Sequence, residues 1–211
     1  MSWFNGRRTK DWTCTFSGVR YYPRRPRVQD VRIVDIAHHL SRICRFTGAV
    51  RVEHYSVAEH CVLGSRLFED PWLAFIFLMH DAEEAYVTDV SRPLKRSWLM
   101  WGYRRIAARN WKVIAQKFGL PLVLPAAVHV MDERMYRAEI ASLMPPIYDD
   151  GYDHVPAADV EIQAWGADRA EEEFLRRFHE LTYELTTRWK RRLTVGSGSE
   201  VSRHIPSWRC A

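Results

Sequence analysis

Three short stretches of the chain place metal-binding residue types where hydrophobic ones would be expected. They are His60 in YSVAEH, the dipeptide His80-Asp81 in LMHDAEEAYVTD, and Asp132 in VHVMDERM. His80-Asp81 follows the apolar run Trp72 to Met79, and Asp132 interrupts a second core-like pattern. Polar atoms at such places are costly unless they are paired, hydrogen-bonded or bound to a metal. Two imidazoles and two carboxylates suit one borderline-hard divalent ion (Mn, Fe, Co, Ni or Zn), with water completing its shell. A buried His-Asp hydrogen bond or an exposed helix end satisfies the dipeptide equally well, and spacing alone does not show that the three stretches converge. Glu84 falls one helical turn after His80, on the same face. Its neighbour Glu83 is expected at the surface.

Helices must carry these residues. Trp12 to Tyr22 alternates around Ser17-Gly18 and predicts a hairpin, ended by Pro23 and Pro26. Ile33, Ile36, Ala37, Leu40, Ile43 and Cys44 recur at helical spacing, with Gly48 closing that element. The stretch SVAE, Ser56 to Glu59, fits a capping box and starts a helix running to about Phe68 with His60 near its beginning. Pro71 opens a helix expected to reach about Tyr86. Further helices are expected over Ser97 to Phe118 and Pro125 to Met144, the second stopped by Pro145-Pro146. One long helix or a broken pair is expected from Ala157 to about Leu193. The pattern is all-α, a helical bundle with a short N-terminal β-hairpin. It divides into a basic segment over 1–32, a helical domain over 33–193 and a flexible tail over 194–211.

A length of 211 residues fits one domain, and 47% hydrophobic with 27% charged residues is ordinary for a globular protein. No apolar run approaches the roughly 20 residues of a spanning helix, and the first residues lack the apolar core of a secretory signal. A cytoplasmic protein without membrane partners is expected, in the host cytoplasm if phage-encoded. Cys14, Cys44, Cys61 and Cys210 are scattered and read as free thiols. The net charge of +5 gathers in the first 32 residues and around Arg188 to Arg192, as either solvated surface or attraction for phosphate-bearing ligands.

The ordered set His60, His80-Asp81, Asp132 resembles the H…HD…D pattern of the HD-domain phosphohydrolases. Within them the chain is most similar to bacterial 5′-deoxynucleotidases and phage dATP triphosphohydrolases. The supporting stretches are CRFTG (Cys44 to Gly48), YSVAEH (Tyr55 to His60) and HDAEEAYVTDVSRPLK (His80 to Lys95), and the likeness spans about Ile33 to Met144. The resemblance implies an HD-type helical bundle in which His60, His80, Asp81 and Asp132 hold one divalent metal. A dinuclear relative would need more histidines between Asp81 and Asp132 than His129 alone.

By the same resemblance Glu84 positions or deprotonates the attacking water, and Asp89 binds the sugar or helps protonate the leaving group. Arg45 binds phosphate, Phe46 packs on sugar or base in place of a more usual Trp, and Lys95, with help from Arg92, holds outer phosphates. The implied function is hydrolysis of free deoxynucleotides. The basic residues and the phage-like N-terminal segment favour a dATP-type triphosphate, releasing deoxynucleoside and triphosphate; the alternative is 5′-deoxynucleotidase action on monophosphates. Alarmone hydrolysis is a further reading, but that group carries HDxxED where this chain has HDAEEA. The non-enzymatic alternative is a basic nucleic-acid-binding or regulatory protein on the same scaffold, which an intact ligand set disfavours. A homo-oligomer, dimer or hexamer, is implied by the relatives.

Overall fold

Val57–Ser65 (α2) and Pro71–Met79 (α3) are the centre of the molecule: α3 is apolar throughout, and the polar side chains of α2, Glu59, His60 and Ser65, are all buried. All nine residues of α2 are buried, as are seven of the nine in α3. A helix apolar on all sides must be enclosed by others. Here Ile33–Arg42 (α1) and Ala167–Val195 (α8) pack over the pair, and Ala126–Leu143 (α7) closes one side. The remaining helices are the short Glu84–Val87 (α4) and Arg92–Arg96 (α5), and the long Trp101–Phe118 (α6). The computed structural model describes residues 11–146 and 154–195. The expected tail from 196 onward, the first ten residues and the first seven of IYDDGYDHVP (147–153) lie outside them.

The fold is mostly helical with one small antiparallel hairpin, as the periodicities predict. The hairpin pairs Thr13–Cys14 (β1) with Arg20–Tyr21 (β2), and Gly18 takes the positive φ of the turn. It is anchored on α1: Ser17 donates to the Asp35 carboxylate from its backbone N–H (2.7 Å) and its hydroxyl (2.8 Å), and Phe16 stacks on His38 at 3.6 Å. No helix of the described residues is long and apolar enough to cross a membrane. Cys14, Cys44 and Cys61 are free.

Several boundaries differ from expectation; α6, expected from Ser97, begins at Trp101 after a 3-10 turn over Trp98–Met100. The first helix ends at Arg42 rather than near Gly48, because Ile43 turns extended and Cys44 forms a β-bridge with Ser56. Arg45–Gly48 then forms a 3-10 turn. Ser56 caps α2 by accepting from the Glu59 N–H at 3.0 Å, but the Glu59 side chain does not reach back to close a capping box. It accepts instead from the backbone N–H groups of Gln163, Ala164 and Trp165 at 3.2, 2.9 and 2.7 Å. Those donors are thereby withdrawn from helix formation, and α8 begins only at Ala167. The helix expected from Pro71 to Tyr86 breaks after Met79, and a short helix, α5, stands where the sequence suggested only a connection.

Candidate metal centre and substrate pocket

The break after Met79 arranges the site. His80, Ala82, Glu84 and Tyr86 each donate a backbone N–H to the carbonyl three residues earlier, so the chain winds through the 80–83 turn with i→i+3 bonds, and α-helical bonds resume only at Val87 and Thr88. With about three residues per turn, positions i and i+3 eclipse. Asp81 and Glu84 therefore share one side and line a cavity of about 180 Å³. His80 and Glu83 share another and border a second cavity, behind the first, with Ala107, Trp111 and Leu124. Glu83 is thus not the surface carboxylate expected. Its Oε2 is buried without a hydrogen-bond partner among the described residues, and burial, reinforced by Asp81, pushes its pKa up to about 7.

His60 from α2, His80 and Asp81 from the turn after α3, and Asp132 from α7 come together. Asp132 Oδ1 lies 3.3 Å from His60 Nε2 and 3.9 Å from His80 Nε2, and Asp81 Oδ2 lies 3.3 Å from His80 Nε2. His60, His80 and Asp132 offer ligand atoms within 4.8 Å of one another. The outer nitrogens fix the tautomers. His60 Nδ1 donates to Glu139 Oε1 at 2.5 Å, and His80 Nδ1 donates to the Phe77 carbonyl at 2.6 Å. In the neutral imidazole each Nε2 then carries the lone pair, and both Nε2 atoms are buried and without a hydrogen-bond partner among the described residues. Two oriented imidazole lone pairs beside two carboxylates fit a divalent cation, and such outer hydrogen bonds normally orient histidine ligands. Burial opposes charge on His80, but Asp81 and Asp132 outweigh it and raise its proton affinity. The same negative field would attract a metal.

The other expected residues line the cavity beside this cluster. Arg45 is buried and reaches Glu139 at 3.0 Å and Asp81 at 3.6 Å. Phe46 and Thr47 both hold left-handed φ angles, at 55° and 52°, conformations costly for residues with a Cβ and concentrated at functional sites. Phe46 packs near the Tyr136 ring at 5.6 Å, and Arg92 lies 4.6 Å over that ring. Arg92 also pairs with Asp132 at 2.9 Å. Lys95 pairs with Glu84 and stands 3.6 Å from Asp89. Burial, followed by Asp81, lifts Glu84 well above the usual carboxylate range against the pull of Lys95.

Two contributors escaped the sequence reading. Glu139 is fully buried and accepts from His60, from the Tyr55 hydroxyl at 2.8 Å and from Arg45. Burial raises its proton affinity, but Arg45 and His60 outweigh that and keep it a carboxylate. Tyr136 forms the aromatic wall. Both lie on the Asp132 face of α7, four and seven residues on, which was the available signal. Among the other histidines, His38 and His39 hold the hairpin and α4, His54 reaches the Ser41 carbonyl, and His129 is exposed.

No family model matches the chain. It is 38% identical over 174 residues to the uncharacterized protein YfdR of Escherichia coli K12, covering 80% of this chain and 94% of that one. It is also 35% identical over 124 residues to an uncharacterized protein of Rhodobacter capsulatus, covering 56% of this chain and 63% of the relative. An alignment spanning 80% of the chain contains His60 through Asp132 wherever it begins, so the likeness to YfdR embraces the site and not only a flank. With nearly the whole of that relative matched, the chain belongs to the YfdR family.

Proposed function

We propose that the chain is a divalent-metal-dependent phosphohydrolase of the HD type acting on free deoxynucleotides. The favoured substrate is a dATP-like triphosphate, split into deoxynucleoside and triphosphate. One observation carries the reading: the buried, unpartnered Nε2 atoms of His60 and His80 lie with Asp81 and Asp132 beside a cavity edged by Arg45, Arg92 and Lys95. The residues His60, His80, Asp81 and Asp132 would hold one ion of Mn, Co, Fe, Ni or Zn. Bound there, the ion would supply Lewis-acid charge at the reacting phosphoryl group.

The chain's own residues account for the rest. Water attacks the α-phosphorus, and Glu84, whose burial raises its proton affinity, takes a proton from it. Lys95 donates to Glu84 and fixes the orientation of that carboxylate. The bond from phosphorus to O5′ breaks, its electron pair stays on O5′, and that oxygen takes a proton. Asp89, at the cavity edge, binds the sugar or delivers this proton. Arg45 and Lys95 neutralise charge developing on the phosphate oxygens. Phe46 and Tyr136 give sugar and base an aromatic wall. Self-association belongs to the same reading: Leu94, Trp98, Leu99 and Trp101 are exposed beside the cavity, and a dimer or hexamer would cover them.

The test is a product assay over all deoxynucleoside mono- and triphosphates with each of these metals. Triphosphate release, greatest with dATP, is the expected result. Orthophosphate release from monophosphates would move the substrate class. Release from none, with steeply salt-dependent binding of single-stranded DNA, would overturn the enzyme. His80→Ala and Asp81→Ala should each lose bound metal together with activity, and full metal content in both would remove these residues as ligands.

A further inference from the structure

The cavity beside the His-Asp cluster shares Arg92, Lys95 and Asp132 with a neighbouring, more open one of about 280 Å³, whose other walls are Arg96, His129 and Glu133. We infer that this extension is a subsite for the outer phosphates of a polyphosphate chain, with Arg96 and His129 as residues that distinguish a triphosphate from a monophosphate. The inference rests on the phosphohydrolase reading and names what selects the substrate within that site.

The two cavities differ in chemistry. The first carries aromatic and apolar walls from Phe46, Tyr136, Val90 and Pro93. The second is lined by ionisable side chains alone. A nucleotide has the same polarity, an aromatic and sugar end joined to a charged tail. With the nucleoside against Phe46 and Tyr136 and the α-phosphorus at the shared wall by Asp132, the tail extends over Arg96 and His129. The secondary structure builds this face deliberately: Arg92, Lys95 and Arg96 are spaced i, i+3 and i+4 on α5 and share one side of it. His129 opposes them from α7, one turn before Asp132 and near the positive end of that helix. Arg92 and Lys95 are already paired with Asp132 and Glu84. Arg96 makes no hydrogen bond or ion pair among the described residues, so its guanidinium is available for a phosphate fork. Glu133 and Asp132 oppose an anion, and Arg92, Lys95 and Arg96 together carry one more charge than those two carboxylates at this wall.

Calorimetric titration of the Mn-loaded protein with inorganic triphosphate and, separately, orthophosphate tests the subsite without turnover. Arg96 and His129 are exposed, so the variant Arg96→Ala/His129→Ala should fold normally. It should bind inorganic triphosphate about tenfold more weakly and orthophosphate unchanged, with Arg96→Lys recovering part of the loss. Glu133→Gln should tighten triphosphate. Unchanged triphosphate affinity in the double variant, or an equal loss for both anions, overturns the subsite. If the double variant shows the selective loss while the wild-type protein hydrolyses no nucleotide, the subsite stands and the hydrolase reading falls. If hydrolysis proceeds but the ratio of triphosphate to monophosphate kcat/KM is the same in the double variant, the subsite falls and the hydrolase reading stands.

Discussion

Glu139 joins the two chemistries of the site. One carboxylate holds the His60 imidazole in the tautomer a metal requires and, through its other oxygen, fixes Arg45 where a phosphate would lie. Glu139→Gln keeps the shape but turns an amide donor toward His60, Tyr55 or Arg45, which are donors themselves. Metal affinity should fall about 10- to 100-fold, and stability should drop by roughly 3 kcal/mol because buried Arg45 keeps only its longer contact to Asp81, at 3.6 Å. Metal titration alongside urea unfolding checks both, and a stability loss with unchanged metal affinity would confine Glu139 to a structural role. No local signal in AEIASL marks this glutamate. Its importance becomes visible only once the inward face of α7 is known, from which Asp132, Tyr136 and Glu139 project in register.

At the scale of the elements, the close approach of α2 and α3 holds the candidate ligands in place. A Cβ on Gly64 would lie 2.1 Å from the Phe77 ring, and that ring packs against His60 at 5.6 Å and His80 at 4.5 Å. Gly64→Ala should therefore cost about 1–3 kcal/mol by overpacking and weaken metal binding as well, since Phe77 can yield only toward the imidazoles or Phe68. Wild-type stability in thermal unfolding would show that the helices separate freely. Glu59 has the corresponding role for α8. Ala164 holds a left-handed φ of 53°, and the consecutive N–H groups around it form a nest for the Glu59 carboxylate. Glu59→Ala orphans three donors and should cost about 3 kcal/mol. Amide hydrogen exchange should then rise first at Gln163 to Trp165 and the start of α8, and protection unchanged there would remove the nest as the anchor.

For the whole molecule, the candidate ligands come from α2, the turn after α3 and α7, so an ion bound there would tie together parts of the chain far apart in sequence. A cation that binds only the folded state stabilises it by mass action, about 2.7 kcal/mol at one hundred times its Kd. For a domain of this size that corresponds to roughly 5–10 °C in Tm. Mn or Co should produce this shift in the wild-type protein and not in His60→Ala, and an equal shift in both would place the ion elsewhere. Net charge is a weaker guide at this scale. Within the basic N-terminal segment Arg25 pairs with Asp11 and Arg27 with Asp30, and near the C-terminal end Arg188 pairs with Glu184, so part of the positive charge is already matched locally.

The sequence by itself determined what depends on local chemistry. The apolar run Trp72 to Met79 had to become an enclosed helix, Ser56 had to start one, Ser17-Gly18 had to turn, and His60, His80, Asp81 and Asp132 stood out because each is polar in a core-like pattern. Tertiary structure decided what depends on which donors and carbonyls meet at long range. Helical periodicity put Glu84 on the His80 face, but the tighter winding after Met79 sets it beside Asp81 and sends Glu83 inward with His80. The capping box pointed Glu59 at its own helix, whereas three N–H groups more than a hundred residues away hold it more completely. Neither outcome is encoded in spacing, because each hydrogen bond is chosen in competition with partners that only the assembled fold brings near.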